Sequence, residues 1–311
     1  MSSPAFTVVL SAFNEEDWIA DAIGSVLGQT MEDFELIVVD DGSTDGTAAV
    51  VTGFTDPRVR LIRQENSGLA AALNVGIGAG EAPYAALIDA DDLWMPGYLE
   101  GMLAALQSEE RVGFAYTDAW VLDHQRSRFW RQSSNEHMDE PTDPPSDPTE
   151  FLRLLLRRNF VFGLGAMNRE AFQAIGGFDG TLRAAEDYEL WMRFLVRGYR
   201  AARAPGRLAI VRDRRGAMHT DEAAMLRNVG QVFESIAAEP ELPPELRPLV
   251  AARIAEIQGA ADRLGGRGQA GVKAVRRRLG VIKRATVGRD FWYPGTPPEV
   301  AAAFPDLKLA D

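Results

Sequence analysis

The sequence predicts an α/β fold, a parallel sheet covered on both faces by helices, followed by a helical C-terminal appendage. Three observations predict it. Short apolar strands alternate with helical segments through the first ninety or so residues. Those strands are continuously apolar, as strands buried on both faces are. Three of them end in polar clusters, at Ser11–Asn14, Asp40-Asp41 and Asp89–Asp92. In open α/β sheets ligands sit outside the carboxyl ends of the strands, so these clusters are expected to face one crevice.

In chain order, Phe6–Leu10 is a β-branched strand, and residues 16–28 carry Ile19, Ala22, Ile23, Val26 and Leu27 on one helical face. Leu36–Val39 is the second strand, and Ser43 or Asp45 is placed to cap a helix starting near Thr47. Arg58–Ile62 is the third strand. Asn66-Ser67-Gly68 makes a turn into a small-residue helix over Leu69–Ile77, and Tyr84–Ile88 is the fourth strand. A helix over Gly97–Leu106 leads to a strand at Val112–Thr117 ending at Asp118. Residues 132–149 hold four prolines and five acidic residues and read as a polar surface loop that contains His137. Asp147-Pro148 opens a helix to about 157, Phe160–Met167 is a Gly-interrupted strand, and Arg169–Ile175 is a short helix stopped by Gly176-Gly177. Arg207–Val211 is a final strand. Beyond it, Met225, Leu226, Val229, Val232, Phe233 and Ile236 mark one amphipathic helix. Leu246, Leu249, Val250, Ile254, Ile257 and Leu264 mark the next, and both suit packing on the first domain or a homodimer contact. Residues 290–311 read as an extended tail laid over the surface.

Composition narrows the function. Residues 1–110 carry three basic side chains against nineteen acidic ones, which argues against nucleic acid as the ligand. There is no cysteine, hence no disulfide, thiolate metal site or cysteine nucleophile. No apolar run is long enough to span a membrane, and the N-terminus lacks a secretory pattern, so a cytoplasmic location is expected. A dinucleotide G-x-G-x-x-G after the first strand and a Walker A loop are both missing, which disfavours hydride transfer and P-loop chemistry. Asp89, Asp91 and Asp92 fall within four positions, and carboxylates so crowded need a cation or hydrogen-bond donors to stay ionised. A hard divalent ion, Mn2+ or Mg2+, would serve.

The blocks SAFNEE, SVLGQTMEDFELIVVDDGSTDGT, NSGLAAALNVGI and LIDADDLWMPGYLE resemble glycosyltransferase family 2. The resemblance covers about residues 6–220. It implies the GT-A fold, a Rossmann-like, mixed but mostly parallel sheet flanked by helices. It also implies inverting transfer of a sugar from a nucleoside diphosphate, UDP first among the candidates, with a divalent metal on the diphosphate. By position, Ser11, Phe13 and Asp41 would line the base and ribose pocket with Asp40 beside them, and Asp89 would touch the ribose. Asn14, Glu15, Asn66, Gly68 and Ala90 lie in the same blocks and complete the expected donor set. Asp91 of the Asp89-Ala90-Asp91 DXD motif would hold the metal, with Asp89 alongside. The second signature of the family, a Glu-Asp pair opening a helix with Trp and Arg, is matched by Glu186, Asp187, Trp191 and Arg193. Asp187, ionised at a helix N-terminus, would be the base that takes the acceptor proton, with Glu186 beside it.

Three positions depart from the family pattern. Ser11 stands where proline is common, Leu73 where an arginine often precedes the asparagine, and Arg214 where a histidine is frequent. The histidine here comes later, so His219 is a candidate metal or diphosphate ligand, and Arg212, Arg214 or Arg215 are candidates to neutralise the diphosphate instead. The expected organisation is a catalytic domain over 1–220, its nucleotide-sugar half at 1–118 and acceptor half at 119–220, then a helical region and tail over 221–311. The expected acceptor is a glycan, a lipid-linked molecule or a small molecule. An inactive nucleotide-binding scaffold and a nucleotidyltransferase are the competing readings. Intact Asp89, Asp91 and Asp187 speak against the first, and the acidic residues 11–17 against the second. Finally, residues 263–289 carry nine basic side chains and no acid. Val272, Val275, Leu279 and Ile282 recur there at helical spacing, a pattern suited to peripheral contact with an anionic membrane.

Overall fold

The computed structural model describes residues 3–125, 127–130, 141, 144–161, 165–214, 222–265, 293, 295–305 and 307. Its centre is a nine-stranded sheet. The strands are β1 (Phe6–Ala12), β2 (Phe34–Asp40), β3 (Val59–Arg63), β4 (Tyr84–Asp89), β5 (Leu93–Trp94), β6 (Val112–Asp123), β7 (Arg128–Phe129), β8 (Gly165–Asn168) and β9 (Arg200–Asp213). They run β3-β2-β1-β4-β8-β6-β9-β5, with β7 on β6. The β3-β2-β1-β4 half is parallel throughout, and β6 pairs in parallel with β9. The ladders to β8, β5 and β7 are antiparallel. This is the mixed, mostly parallel sheet that the motifs imply.

Alternate residues of each strand feed opposite layers. Phe6, Val8, Leu10, Leu36 and Val38 bury against α1 (Ile19–Leu27), α2 (Thr47–Thr52) and α4 (Tyr98–Leu106). Val9, Ile37, Val39, Ala85 and Leu87 face α3 (Leu69–Ala79), α5 (Pro148–Arg157), α6 (Arg169–Ala174) and α7 (Glu186–Val196). Helix α5 starts as its sequence demands: Asp147 accepts from the Glu150 N–H at 2.9 Å, and Pro148 fills the first position. The C-terminal helices α8 (Glu222–Ala238) and α9 (Arg247–Gly265) join this second layer. Val229, Val232, Phe233, Val250 and Ile257 are buried in the same cluster as Tyr188 and Trp191, so the apolar stripes serve the chain's own core. The last helix, α10 (Pro298–Ala303), buries Val300 against Leu93, Trp120, Phe129 and Ile210, and Tyr293 meets Trp120 edge-on. Among the described residues no helix is long and apolar enough to cross a membrane.

Four elements differ from the sequence reading, the first being the tail at 290–311, which among the described residues holds the helix α10 (Pro298–Ala303) instead of running extended. Strand β6 runs on through Asp118 to Asp123, because Ala119–Leu122 are buried between neighbours on both sides. Strand β9 begins at Arg200 rather than 207, its polar first half held by β6 across register shifts. The strand placed at 160–167 is, among described residues, only Gly165–Asn168. Gly165 is required there, since a Cβ would lie 2.6 Å from the Trp191 ring. The basic 263–289 segment lies outside the described residues apart from the end of α9, as does His137.

One buried ion pair shapes the approach to α7. Arg193 pairs with Glu189 at 2.7 Å and donates to the carbonyls of Ile175 and Gly177, each at 2.6 Å. It thereby fixes a turn that Gly176 (φ 93°) and Gly177 (φ 74°) make in the left-handed region. Removing one partner of a buried pair leaves the other charge uncompensated. Arg193→Met is therefore expected to destabilise the fold by about 3–5 kcal/mol, measured by urea unfolding, and more than the same change at the exposed Arg60.

Candidate active site

The carboxyl ends of β1, β2 and β4 lie side by side because the parallel registers align them: Ser11 is paired with Asp89, and Ala12 with Asp40. The loops beyond are tied together by side chains reaching backbone. Asn14, held at φ 59°, donates its N–H to Ser43 and accepts from the Thr44 N–H at 2.8 Å. The Glu15 N–H reaches Thr47, and Glu16 accepts from the Gly46 N–H. Neither Ser43 nor Asp45 caps α2 as expected: its N-cap is Gly46, with no side-chain cap, while Asp45 accepts from the Thr47 N–H at 3.0 Å from just outside and Ser43 holds Asn14. Phe13 stands on this rim with 47% of its surface exposed, and Ser11 is half-buried below it.

Asp40 and Asp41 are buried and engaged within the protein. Asp40 accepts from the Ser43 N–H and pairs with Arg63 at 2.9 Å. Asp41 accepts from Gln64 and from the N–H groups of Ser67 and Gly68, at 2.7–2.9 Å, holding the turn into α3. Asn66 is exposed on that turn. Its backbone leaves no room for a side chain at Gly42. Gly68 (φ 91°, ψ 161°) adopts a conformation open only to glycine.

The second group of carboxylates is different. Asp89 ends β4, Ala90 is buried, Asp91 is half-buried, and Asp92 is buried where it accepts from the Arg212 N–H at 3.0 Å. Asp89 opens to solvent in the crevice, yet the surrounding protein desolvates it. That desolvation, then the charges of Asp91, Asp187 and Glu15, raises its carboxyl to about 7. Helix α7 delivers Glu186 and Asp187 to the same place. Ala185 precedes them at φ 62°, ψ 27°, a left-handed conformation that is strained for a residue with a Cβ. Burial raises Glu186 to about 8, with the neighbouring Asp187 charge next, and burial raises Asp187 to about 6. Both carboxyls are thus pushed above the ordinary carboxylate range, and the pair shares its titration rather than ionising independently.

Two connections to this site come from residues whose role the sequence did not reveal. Asn74 on α3 brackets Phe178 with two 2.9 Å bonds, donating to its carbonyl and accepting from its N–H, so the block NSGLAAALN anchors the GGFD turn before α7. Leu73 beside it is core. Strand β5 pairs Leu93 with Ile210, which brings the end of β9 beside the Asp89–Asp92 turn. Arg212 is buried and pairs with Asp21 at 2.7 Å. Arg214 donates to Asp91 through Nε and to Glu15 through Nη2. His219 and Arg215 lie outside the described residues. Among the described residues no group of three or more His, Cys, Asp or Glu side chains is arranged as a metal site. Asp89 and Asp91 nonetheless form a hard-oxygen pair in a crevice with excess negative charge, which fits a divalent ion whose remaining ligands are diphosphate oxygens.

A crevice at the carboxyl ends of a parallel sheet, lined by a DXD turn and a carboxyl pair at a helix start, defines a GT-A type site. The family model for glycosyl transferase family 2 matches residues 7–176, and the chain belongs to that family. It is 32% identical over 218 residues to the succinoglycan biosynthesis protein ExoO of Rhizobium meliloti, a match covering 69% of this chain and 62% of ExoO. The chain thus spans less than two thirds of that relative's length. Among solved structures, S. aureus TarS in complex with UDP-GlcNAc superposes with a TM-score of 0.65 at 18% identity, over 84% of this chain and 74% of the other. The mannosyltransferase PcManGT from Pyrobaculum calidifontis, in complex with GDP-Man and Mn2+, gives 0.61 at 21% identity, over 88% and 79%. These structures share the fold.

The raised carboxyl of Glu186 has a thermodynamic consequence. Between its unfolded value near 4.5 and its folded value of about 8, the folded state holds a proton that the unfolded state releases. Its contribution to stability therefore falls as pH rises through that window. Glu186→Gln keeps the shape and removes the titration. Its melting temperature is expected to exceed that of wild type by several degrees at about pH 8.5, the difference closing toward about pH 5. A gap that stays constant across that range would contradict the assignment.

Proposed function

We propose that the protein is an inverting, metal-dependent glycosyltransferase that moves a sugar from a nucleoside-diphosphate donor, UDP-linked in first place, to an acceptor hydroxyl. The observation that carries this reading is that the helix-start carboxylate Asp187 and the Asp89–Asp91 turn face one crevice, where burial first and then the charges of Asp91 and Asp187 raise Asp89. Ser11 and Phe13 are the base and ribose side of the donor site, with the exposed Phe13 ring available for stacking. Asp40 and Asp41 support that side by fixing the loop and the turn around it. Asp89 takes the ribose. Asp91, with Asp89 alongside, would hold Mn2+ or Mg2+, which when bound supplies Lewis-acid charge to the departing diphosphate.

Asp187 accepts the proton of the acceptor hydroxyl as its oxygen bonds to the anomeric carbon. The bond from that carbon to the donor phosphate oxygen breaks, and the electron pair leaves with the nucleoside diphosphate. Attack from the face opposite the leaving group inverts the anomeric centre. Glu186 stands beside it, its carboxyl raised by burial and then by the Asp187 charge. The biosynthetic role in ExoO's name supports a glycan as acceptor, free or lipid-linked.

Asp187→Asn is expected to keep nucleotide affinity and lose transfer by roughly a hundred- to ten-thousand-fold. The rate of the wild-type enzyme should rise as pH passes about 6, where Asp187 gives up its proton. Release of UDP from labelled donor sugars is the assay, and near-wild-type turnover would move the base elsewhere. Asp91→Ala should fold normally, since that carboxylate lies just beyond a strand end and among the described residues meets only Arg214. It should lose the manganese-dependent part of UDP binding by calorimetry, and unaltered affinity would remove Asp91 from the metal site.

A further inference from the structure

Arg214 occupies the ground that a bound metal and diphosphate would claim. Its Nε donates to Asp91 and its Nη2 to Glu15, the guanidinium lies 5.8 Å from the Trp18 ring centroid, and a quarter of the side chain is exposed. It is not a side chain caught by chance. Pairing of Leu93 with Ile210, the Arg212 N–H on Asp92 and the Asp21–Arg212 pair fix the strand end immediately before it. The cations of β9 are divided accordingly. Arg212 is buried and committed to Asp21, whereas Arg214 supplies the positive charge acting on Asp89. Two carboxylates engage two of the five N–H groups of Arg214, and among the described residues no other acceptor meets the rest. A guanidinium with donors to spare, beside a carboxylate expected to bind metal, has the geometry of a diphosphate ligand.

We propose that Arg214 is the diphosphate-binding cation of this enzyme, held on Asp91 and Glu15 when no donor is bound and released from Asp91 to the diphosphate when donor and metal arrive. The proposal rests on the donor-site reading above. In the empty crevice Arg214 competes with the metal for Asp91. In the filled one it adds its charge to that of the ion on the leaving group. Glu15 remains as its second anchor, so the guanidinium turns about a fixed contact rather than entering from solvent.

The consequence is a pair of effects with opposite signs. Arg214→Gln frees Asp91 and Glu15, so Mn2+ alone, measured by electron paramagnetic resonance without nucleotide, should bind severalfold more tightly than to wild type. The same variant should bind UDP by calorimetry about ten- to a hundredfold more weakly, with Mn2+ and equally with EDTA in its place. Arg214→Lys keeps the charge without the fork and is expected to weaken UDP binding in the same direction by less, which serves as the test if the glutamine variant does not fold. UDP affinity unchanged in a folded variant would overturn the proposal alone. Weaker Mn2+ binding together with weaker UDP binding would also overturn it, by showing that Arg214 maintains the shape of the site. Wild-type protein that bound neither UDP nor GDP would overturn the donor-site reading and the proposal with it.

Discussion

Mutual repulsion among carboxylates is the constraint around which the crevice is built. Burial first, and then the charges of Asp91, Asp187 and Glu15, raise Asp89 to about 7. Such a cluster is unfavourable for the folded state, since each charge is both partly desolvated and next to another of its own sign. It persists because the surrounding structure is rigid. Asp89 closes a strand paired in parallel with β1 along its whole length, and Asp187 opens a helix whose body is buried from Tyr188 to Val196. Neither backbone can relax apart without dismantling the sheet or the core. The strain at Ala185 belongs to the same account, as a left-handed residue that is kept because it aims the following carboxyl pair.

What holds the two halves of the crevice in register is a set of uncharged and internally neutralised contacts outside it. Asn74 ties the donor-side helix to Phe178, and Arg193 with Glu189 ties the glycine turn before it to α7. The C-terminal helices complete the arrangement by burying Tyr188 against Phe233 at 6.0 Å. Tyr188 follows Asp187 directly, and its hydroxyl donates to the Leu155 carbonyl at 2.6 Å. Asp187 is thus positioned by a neighbouring side chain packed on two other helices, and the C-terminal helices contribute to the geometry of the carboxyl pair.

The sequence made the parallel half legible because its signals are local. Apolar strands, glycine stops and the Asp147-Pro148 helix start each act within a few residues, and those elements lie where periodicity places them, within two residues or so at their ends. The start of β9 was not legible, because RAARAPG has the composition of a loop and becomes a strand only through pairing with β6. The contact of Arg214 with Asp91 was out of reach for the same reason, as it joins residues 123 positions apart. The motif around Asn74 was noticed for the arginine it lacks, whereas its asparagine has a scaffolding task that no spacing announces.

The two acidic pairs, Asp40-Asp41 and Asp89/Asp91, look equivalent as text, and hydrogen-bond supply separates them. Asp40 and Asp41 meet backbone N–H groups of their own loops together with Gln64 and Arg63, so their lone pairs are largely satisfied inside the protein. Among the described residues no such nest of N–H groups surrounds Asp91, whose partner is a side chain with rotatable bonds. Backbone donors are fixed and cannot be exchanged for a ligand, while a guanidinium on a flexible stem can be. Among the described residues Asp91 meets a side chain that can turn away, whereas Asp40 and Asp41, two strands over across β1, are held by backbone donors that cannot.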